Sequence, residues 1–456
     1  SSQNISATET AGNEFPMWHG EDIYFLSDRG TEERMNLWKY TVSIKKYEQL
    51  TNFKDYDIHF PSAGPAEIVF EQGGKLQLYS FATKQVKTVS VNLVIDKAAL
   101  KPRSVTVDKF IQHANISPDG NRVLIESRGD IFSLPAENGF VKNITRSTAS
   151  NERYPSWSPD GNTVAYWSDE SGEYNLWLAS AGSDVAPRKI TNYYTGFRYN
   201  LFWSPDSKKL AFIDQAMKIK MVDAANGSTT DVDQALRFMH GGCEGFSVSW
   251  SPDSRWFTYD RDLDNYHNAV YIYDTQNKKL QQVTDGFYNC NNPVFDTEGK
   301  YLYLTTNQNF TPYYSDIDNS FIYGNSTQIA AISLKKSTPS ILFAKNDTVA
   351  VKIDGDKKDD KKKDSAAKKS TAVEIDFDGI QARMVLLPMP AANYGNLAAV
   401  KGKIIYQKFP NLGSDRDAKP ALKYYDLDKR EDKTISDNIN RYWLAANGTK
   451  ILAQRG

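Results

Sequence analysis

The chain has 456 residues, with 55 Lys and Arg against 56 Asp and Glu, and is 40% hydrophobic and 12% aromatic, which reads as a globular protein of nearly balanced charge. That balance leaves no basic stripe for nucleic acid beyond one lysine run, and no apolar stretch approaches the length of a membrane helix. Two cysteines, Cys243 and Cys290, are too few for a disulfide framework.

In chain order, Asn4-Ile5-Ser6 reads as the closing strand of a unit whose earlier strands would precede Ser1. Two strand groups follow. One runs from Phe15-Pro16-Met17-Trp18 through Ile23–Leu26 to Gln49-Leu50-Thr51; the other starts at Phe60-Pro61-Ser62 and continues through Glu67–Phe70 and Leu76–Tyr79. From Lys97 to Phe110 the usual turn signals stop, and this segment reads as a crossing between two domains, with a boundary near residue 105.

The clearest unit spans Arg153 to Thr191. Pro155–Trp157 leads into Ser158-Pro159-Asp160-Gly161, where Pro presets φ and Gly takes the position with φ above zero. Thr163–Trp167 alternates apolar and polar residues as a half-buried strand does, Asn175–Ala179 supplies a third strand, and Arg188–Thr191 a fourth. Turns of the same kind stand at Ser117-Pro118-Asp119-Gly120, Ser204-Pro205-Asp206-Ser207 and Ser251-Pro252-Asp253-Ser254, and worn copies at Phe295–Gly299 and Leu444–Gly448. A repeat of roughly 45 residues built of four short strands is the pattern of propeller blades, none of which buries its faces alone.

The expected fold is therefore all-β, with two consecutive β-propellers of four-stranded antiparallel blades. Residues 1–105 would hold the last blades of a first propeller. Residues 106–456 would form a second, seven-bladed one, with starts near Gln112, Arg153, Tyr199, Phe246, Asn291, Asn396 and Asn440 and an incomplete last blade. The charged tract at about 346–372, with Asp354–Lys363 at its centre, reads as a flexible loop inserted in a blade. With strands missing at either end, the chain reads as a fragment cut at both ends, so the lack of a signal peptide does not fix its compartment.

Chemistry-bearing patterns are sparse. The five histidines, His19, His59, His113, His240 and His267, show no metal-ligand spacing, and no HExxH, CxxC, GxSxG or phosphate-cradling glycine loop occurs, so neither metal nor cofactor is expected. The aspartates of the Ser-Pro-Asp turns are expected to accept backbone N–H bonds two residues on. Cys243 and Cys290 fall just before the innermost strands of neighbouring units, either as a close pair or as unrelated free thiols.

The mouth of the channel, where innermost strands begin, is cationic and aromatic: Arg153-Tyr154, Arg198-Tyr199 and Arg441-Tyr442, with Asn291-Asn292 and His113 at comparable places. Arginine offers a planar fork for carboxylates, and tyrosine apolar area with a polar tip, so Arg153, Tyr154, Arg198, Tyr199 and Arg441 are candidate substrate-channel residues. The alternative is that the tyrosines pack between blades and the arginines pair with local acids such as Glu152.

The run from Asn115–Gly120 through Glu126–Phe132 and Asn143–Arg146 to Glu152–Trp157 resembles the second propeller of tricorn proteases. So do Trp167–Tyr174, the upstream Phe15–Gly20 and Tyr24–Arg29, and the lysine-rich insertion followed by Ile375–Ile380. The resemblance implies the end of a six-bladed propeller followed by a seven-bladed one, in a large oligomeric serine peptidase whose PDZ-like and catalytic parts would lie beyond Gly456. No catalytic residue can be carried over. It further implies oligopeptides channelled through the seven-bladed unit, a homo-oligomer and a cytoplasmic location, with a periplasmic one as the alternative. A stand-alone binding propeller, or the cap of a prolyl-oligopeptidase-like hydrolase, are the competing readings.

Overall fold

The computed structural model describes residues 5, 10–94, 103–147, 149–237, 243–309, 312–344, 372–411 and 417–456. Among these, the secondary structure consists of strands and three single 3-10 turns, at Asp108–Phe110, Cys243–Gly245 and Gln381–Arg383, with no α-helix. The chain divides into two units, Ser1–Ser104 and Val105–Gly456. The expected strand at Asn4-Ile5-Ser6, apart from Ile5, lies outside the described residues, as do His240 and the charged insertion up to residue 371.

The smaller unit has two four-stranded antiparallel meanders, each in sequence order. One holds Asn13–His19, Asp22–Ser27, Asn36–Thr41 and Lys46–Gln49; the other Ile58–Ala63, Glu67–Gln72, Lys75–Ser80 and Val86–Thr88. Tyr24, Leu26, Leu37, Ile58, Ile68, Phe70 and Tyr79 are buried together as their shared core.

The larger unit repeats the same meander. Its successive innermost strands are Ile111–Ile116, Glu152–Trp157, Phe202–Trp203, Ser249–Trp250, Cys290–Phe295, Asn393–Val400 and Arg441–Leu444. Each of the first six opens a four-stranded sheet, and the last pairs only with Ile451–Gln454. In the fifth sheet the partner of Gln328–Ser333 is Met384–Leu386, so the charged insertion falls between the third and fourth strands of one sheet. The sheets close a ring, because Arg441–Leu444 and Ile451–Gln454 pack beside Ile111–Ile116, and the Asn447 N–H donates to the Pro118 carbonyl at 3.1 Å.

The turns explain the repeat. Ser158 Oγ donates to Asp160 Oδ1 at 2.5 Å, Asp160 accepts the Asn162 N–H at 3.1 Å, and Ser158 Oγ accepts the Thr163 N–H at 2.9 Å. Asp119, Asp206 and Asp253 make the same bond two residues on. These turns also stitch neighbours together: the Asp160 N–H donates to Ser207 Oγ, the Asp206 N–H to Ser254 Oγ, and the Trp203 and Trp250 indoles to Ser156 and Phe202 carbonyls. Cys243 and Cys290 are buried free thiols of adjacent sheets, and burial pushes the Cys243 thiol up to about 11.

Candidate functional site

Innermost strands carry a recurring bulge. Phe15, Phe60, Tyr154 and Asn292 all have φ between 51 and 53°, all precede proline, and all sit where the register slips. Proline lacks an N–H and fits where the ladder is interrupted, while a bulge re-aims the flanking side chains. A left-handed non-glycine residue costs on the order of 1–3 kcal/mol. In the larger unit a side chain from the preceding sheet offsets that cost by accepting the bulge N–H. Glu126 Oε2 accepts from Tyr154 at 2.9 Å, Asp260 Oδ1 from Asn292 at 3.0 Å, and Asn292 Oδ1 from Asn396 at 3.1 Å.

Of the expected channel residues, Arg153 and Tyr154 lie at such a bracketed bulge, while Arg198, Tyr199 and Arg441 do not. Arg153 is partly exposed, with Nε 3.5 Å from Glu126 Oε1, a bond to Gln112 Oε1 at 2.9 Å, and its guanidinium over the Tyr154 and Phe197 rings. Its acid is thus Glu126 rather than the adjacent Glu152. Glu152 is buried and held by the hydroxyls of Ser147, Ser150 and Ser168. Tyr154 is 2% exposed, packs against His113, Phe197 and Tyr199, and reaches Glu244 Oε1 at 3.5 Å. Arg198 is 7% exposed; it donates to the carbonyls of Tyr174, Thr195 and Gly196 at 2.6–2.9 Å and lies over the Tyr193 ring. Tyr199 is buried with its carbonyl accepting from the Trp167 indole. Arg441 is exposed, and its side chain has no ion pair or hydrogen bond among the described residues. Of the three expected arginines, Arg153 and Arg441 therefore reach solvent, while Arg198, like Tyr154 and Tyr199, is packed between the sheets.

Between the fourth, fifth and sixth sheets the mouth opens into a cleft of about 640 Å³, lined among others by Arg237, Asp260, Arg261, Asp262, Asn268 and Asn291. That volume is in the range of small-molecule sites. Arg237 is matched by Asp262 at 3.2 Å and Arg261 by Asp233 at 2.6 Å. Asp260 has neutral partners, the Asn292 N–H and, at 3.1 Å, the Asn268 amide, and no basic side chain within ion-pair distance among the described residues. Burial pushes its carboxyl up to about 6, against the lowering effect of those two bonds. Sequence reading placed Asn291-Asn292 here but missed Asp260. The available signal was its place in the repeat: counted from the turn serine, Asp260 and Glu126 are carboxylates where other units hold Trp167 and Ile213.

No group of three or more His, Cys, Asp or Glu side chains able to hold a metal occurs among the described residues. None of their helices is long and apolar enough to cross a membrane.

The chain matches two family models: the tricorn protease second β-propeller domain over residues 111–456 and the tricorn protease N-terminal β-propeller domain over residues 1–85. It is 23% identical over 442 residues to the tricorn protease homolog of Saccharolobus solfataricus, covering 96% of this chain and 38% of that protein. To the tricorn protease of Thermoplasma volcanium it is 23% identical over 444 residues, covering 94% and 40%. The crystal structure of the tricorn protease superposes with a TM-score of 0.62 at 18% identity, over 97% of this chain and 41% of that one. The chain thus spans about two fifths of the length of these relatives, and with the second-propeller model matching most of it, it belongs to the tricorn protease family as a β-propeller part of such a protease.

Proposed function

We propose that residues 105–456 form a propeller that channels or gates oligopeptides for a tricorn-type serine peptidase, with the acyl-enzyme chemistry carried by another part of the parent protein. The observation that supports it is the mouth itself. The partly exposed Arg153 and exposed Arg441 share it with a cleft whose lining is rich in amide, hydroxyl and guanidinium groups, the donors and acceptors a peptide backbone and its carboxylates need. Under this reading the partners are oligopeptides and the catalytic and PDZ-like parts of the same protein, in a cytoplasmic homo-oligomer.

Titration of an acidic oligopeptide into the wild type and an Arg153→Ala/Arg441→Ala double variant, at low and high salt, tests the reading. Weak binding that falls with salt and is lost in the variant is expected. Undiminished binding in the variant removes both arginines from the mechanism, and no binding of any oligopeptide removes the channelling role.

A further inference from the structure

The repeat supplies an internal control for the Asp260 cleft. Glu126 and Asp260 stand at the same position of their sheets and accept the same bulge N–H from the next sheet. Beside Glu126, the remaining acceptor capacity is filled by the chain itself: His113 Nδ1 lies at 2.7 Å and Arg153 Nε at 3.5 Å. By register, the position of His113 is taken in the fourth sheet by Ser247, and that of Arg153 in the fifth sheet by Asn291. Both replacements are shorter and neutral, and both line the cleft. One site fills itself with an imidazole and a guanidinium; the other keeps the carboxylate and leaves their space open.

The remaining charges of the cleft do not compensate. Arg237 and Arg261 come from its walls, but each is already bound to a carboxylate and lies over a tyrosine ring, Tyr266 and Tyr271 respectively, at 4.1 and 4.3 Å. With Asp233 and Asp262 assigned to those two arginines, the one unmatched charge among these residues is that of Asp260. A half-buried carboxylate with only neutral donors is poorly stabilised when ionised, and burial has raised its protonation range accordingly. A cation brought to it restores what Arg153 supplies at Glu126.

We propose that the Asp260 cleft is a binding site for an organic cation on an oligopeptide, an α-ammonium or a lysine or arginine head group, seated beside Asp260 where Arg153 sits beside Glu126. This rests on the reading that oligopeptides reach this mouth. It adds a selection: peptides would be read by a positive group at one point of the ring, as well as by the arginines elsewhere on it.

The test uses three peptides, Ac-Ala-Ala-Lys-Ala-Ala-amide, its norleucine counterpart, and penta-alanine amide with a free α-amine, titrated calorimetrically into the chain. The lysine peptide, the free-amine peptide or both should bind about tenfold tighter than the capped norleucine peptide, and which one does so identifies the source of the cation. Asp260→Asn, which keeps the acceptor for the Asn292 N–H, should erase the preference. Asn291→Arg should also erase it, by placing a guanidinium of the chain's own in the cleft, with circular dichroism unchanged. Equal affinities for charged and neutral peptides, or a preference that survives in either variant, overturns the proposal and leaves the channelling reading standing. Binding of none of the three, or of any other oligopeptide, overturns both.

Discussion

Replacing Asp260 by Asn should change how stability varies with pH, because burial raises the protonation range of this carboxyl. Burial among neutral partners pushes the carboxyl up to about 6 in the fold, against about 4 in the unfolded chain. The folded state therefore holds the proton more tightly. The stability this contributes is fully present below about pH 4 and is lost as the pH rises through about 6. Two pH units of separation set a ceiling of about 3 kcal/mol, and the open cleft with Arg237, Arg261, Asp233 and Asp262 around it reduces that to roughly 1–2 kcal/mol. Asparagine stays neutral throughout. It loses the bond from the Asn268 amide, a cost of about 1 kcal/mol that does not vary with pH. Urea denaturation of wild type and variant, followed by tryptophan fluorescence from about pH 4 to about pH 7.5, should show the variant gaining roughly 1–2 kcal/mol relative to wild type across that window. A flat difference would mean that Asp260 is not held above its ordinary range. A difference of opposite slope would mean that a basic group already pairs with it, which would refute the reading of the cleft.

Four further substitutions separate bracing residues from surface ones. Arg198→Ala strips the donors from three carbonyls beside the partly buried Tyr193 ring and should cost about 3 kcal/mol or more, whereas Arg441→Ala should stay within about 0.5 kcal/mol; thermal unfolding of the pair compares them directly. Trp167→Ala empties a site 1% exposed and frees the Tyr199 carbonyl, for an expected loss of about 3–5 kcal/mol in denaturant unfolding. Gly227 has φ of 76° and a methyl group there would lie 2.0 Å from the Ile190 carbonyl oxygen, so Gly227→Ala should destabilise the fold, read in thermal unfolding, by more than the roughly 1–2 kcal/mol that the left-handed backbone alone costs an L-residue.

The all-β architecture was legible because each meander announces itself with local chemistry. The third strand expected at Asn175–Ala179 spans Asn175–Ser180, and the fourth, expected at Arg188–Thr191, is regular strand at Arg188–Lys189, with the Ile190 N–H and the Thr191 hydroxyl still bonded to Leu176 of the third. Even the worn turn works: where the serine is missing, Asp296 Oδ1 alone accepts the N–H groups of Lys300 and Tyr301 at 2.6 and 2.8 Å. The site was less legible, since ion partners are set across sheets and not along the chain. Arg153 has Glu152 beside it in sequence, yet the bulge at Tyr154 turns the guanidinium toward Glu126 on the preceding sheet. Arg198 reads like Arg153, but the third sheet has only a short inner strand, Phe202–Trp203, and the preceding loop folds its carbonyls over the guanidinium. Asp260 looks like an ordinary polar residue near the end of an alternating strand; its lack of a cation depends on Ser247 and Asn291, which approach it only in the folded ring.

Amide hydrogen exchange of the chain with and without a saturating oligopeptide addresses the channelling role most directly. Slowed exchange confined to the mouth, at residues 245–247, 260–262 and the strand Cys290–Phe295, is the expected result. Protection restricted to the outer strands, such as Lys279–Gln282 and Glu431–Ser436, or no protection at a concentration where binding is measured, would contradict the account.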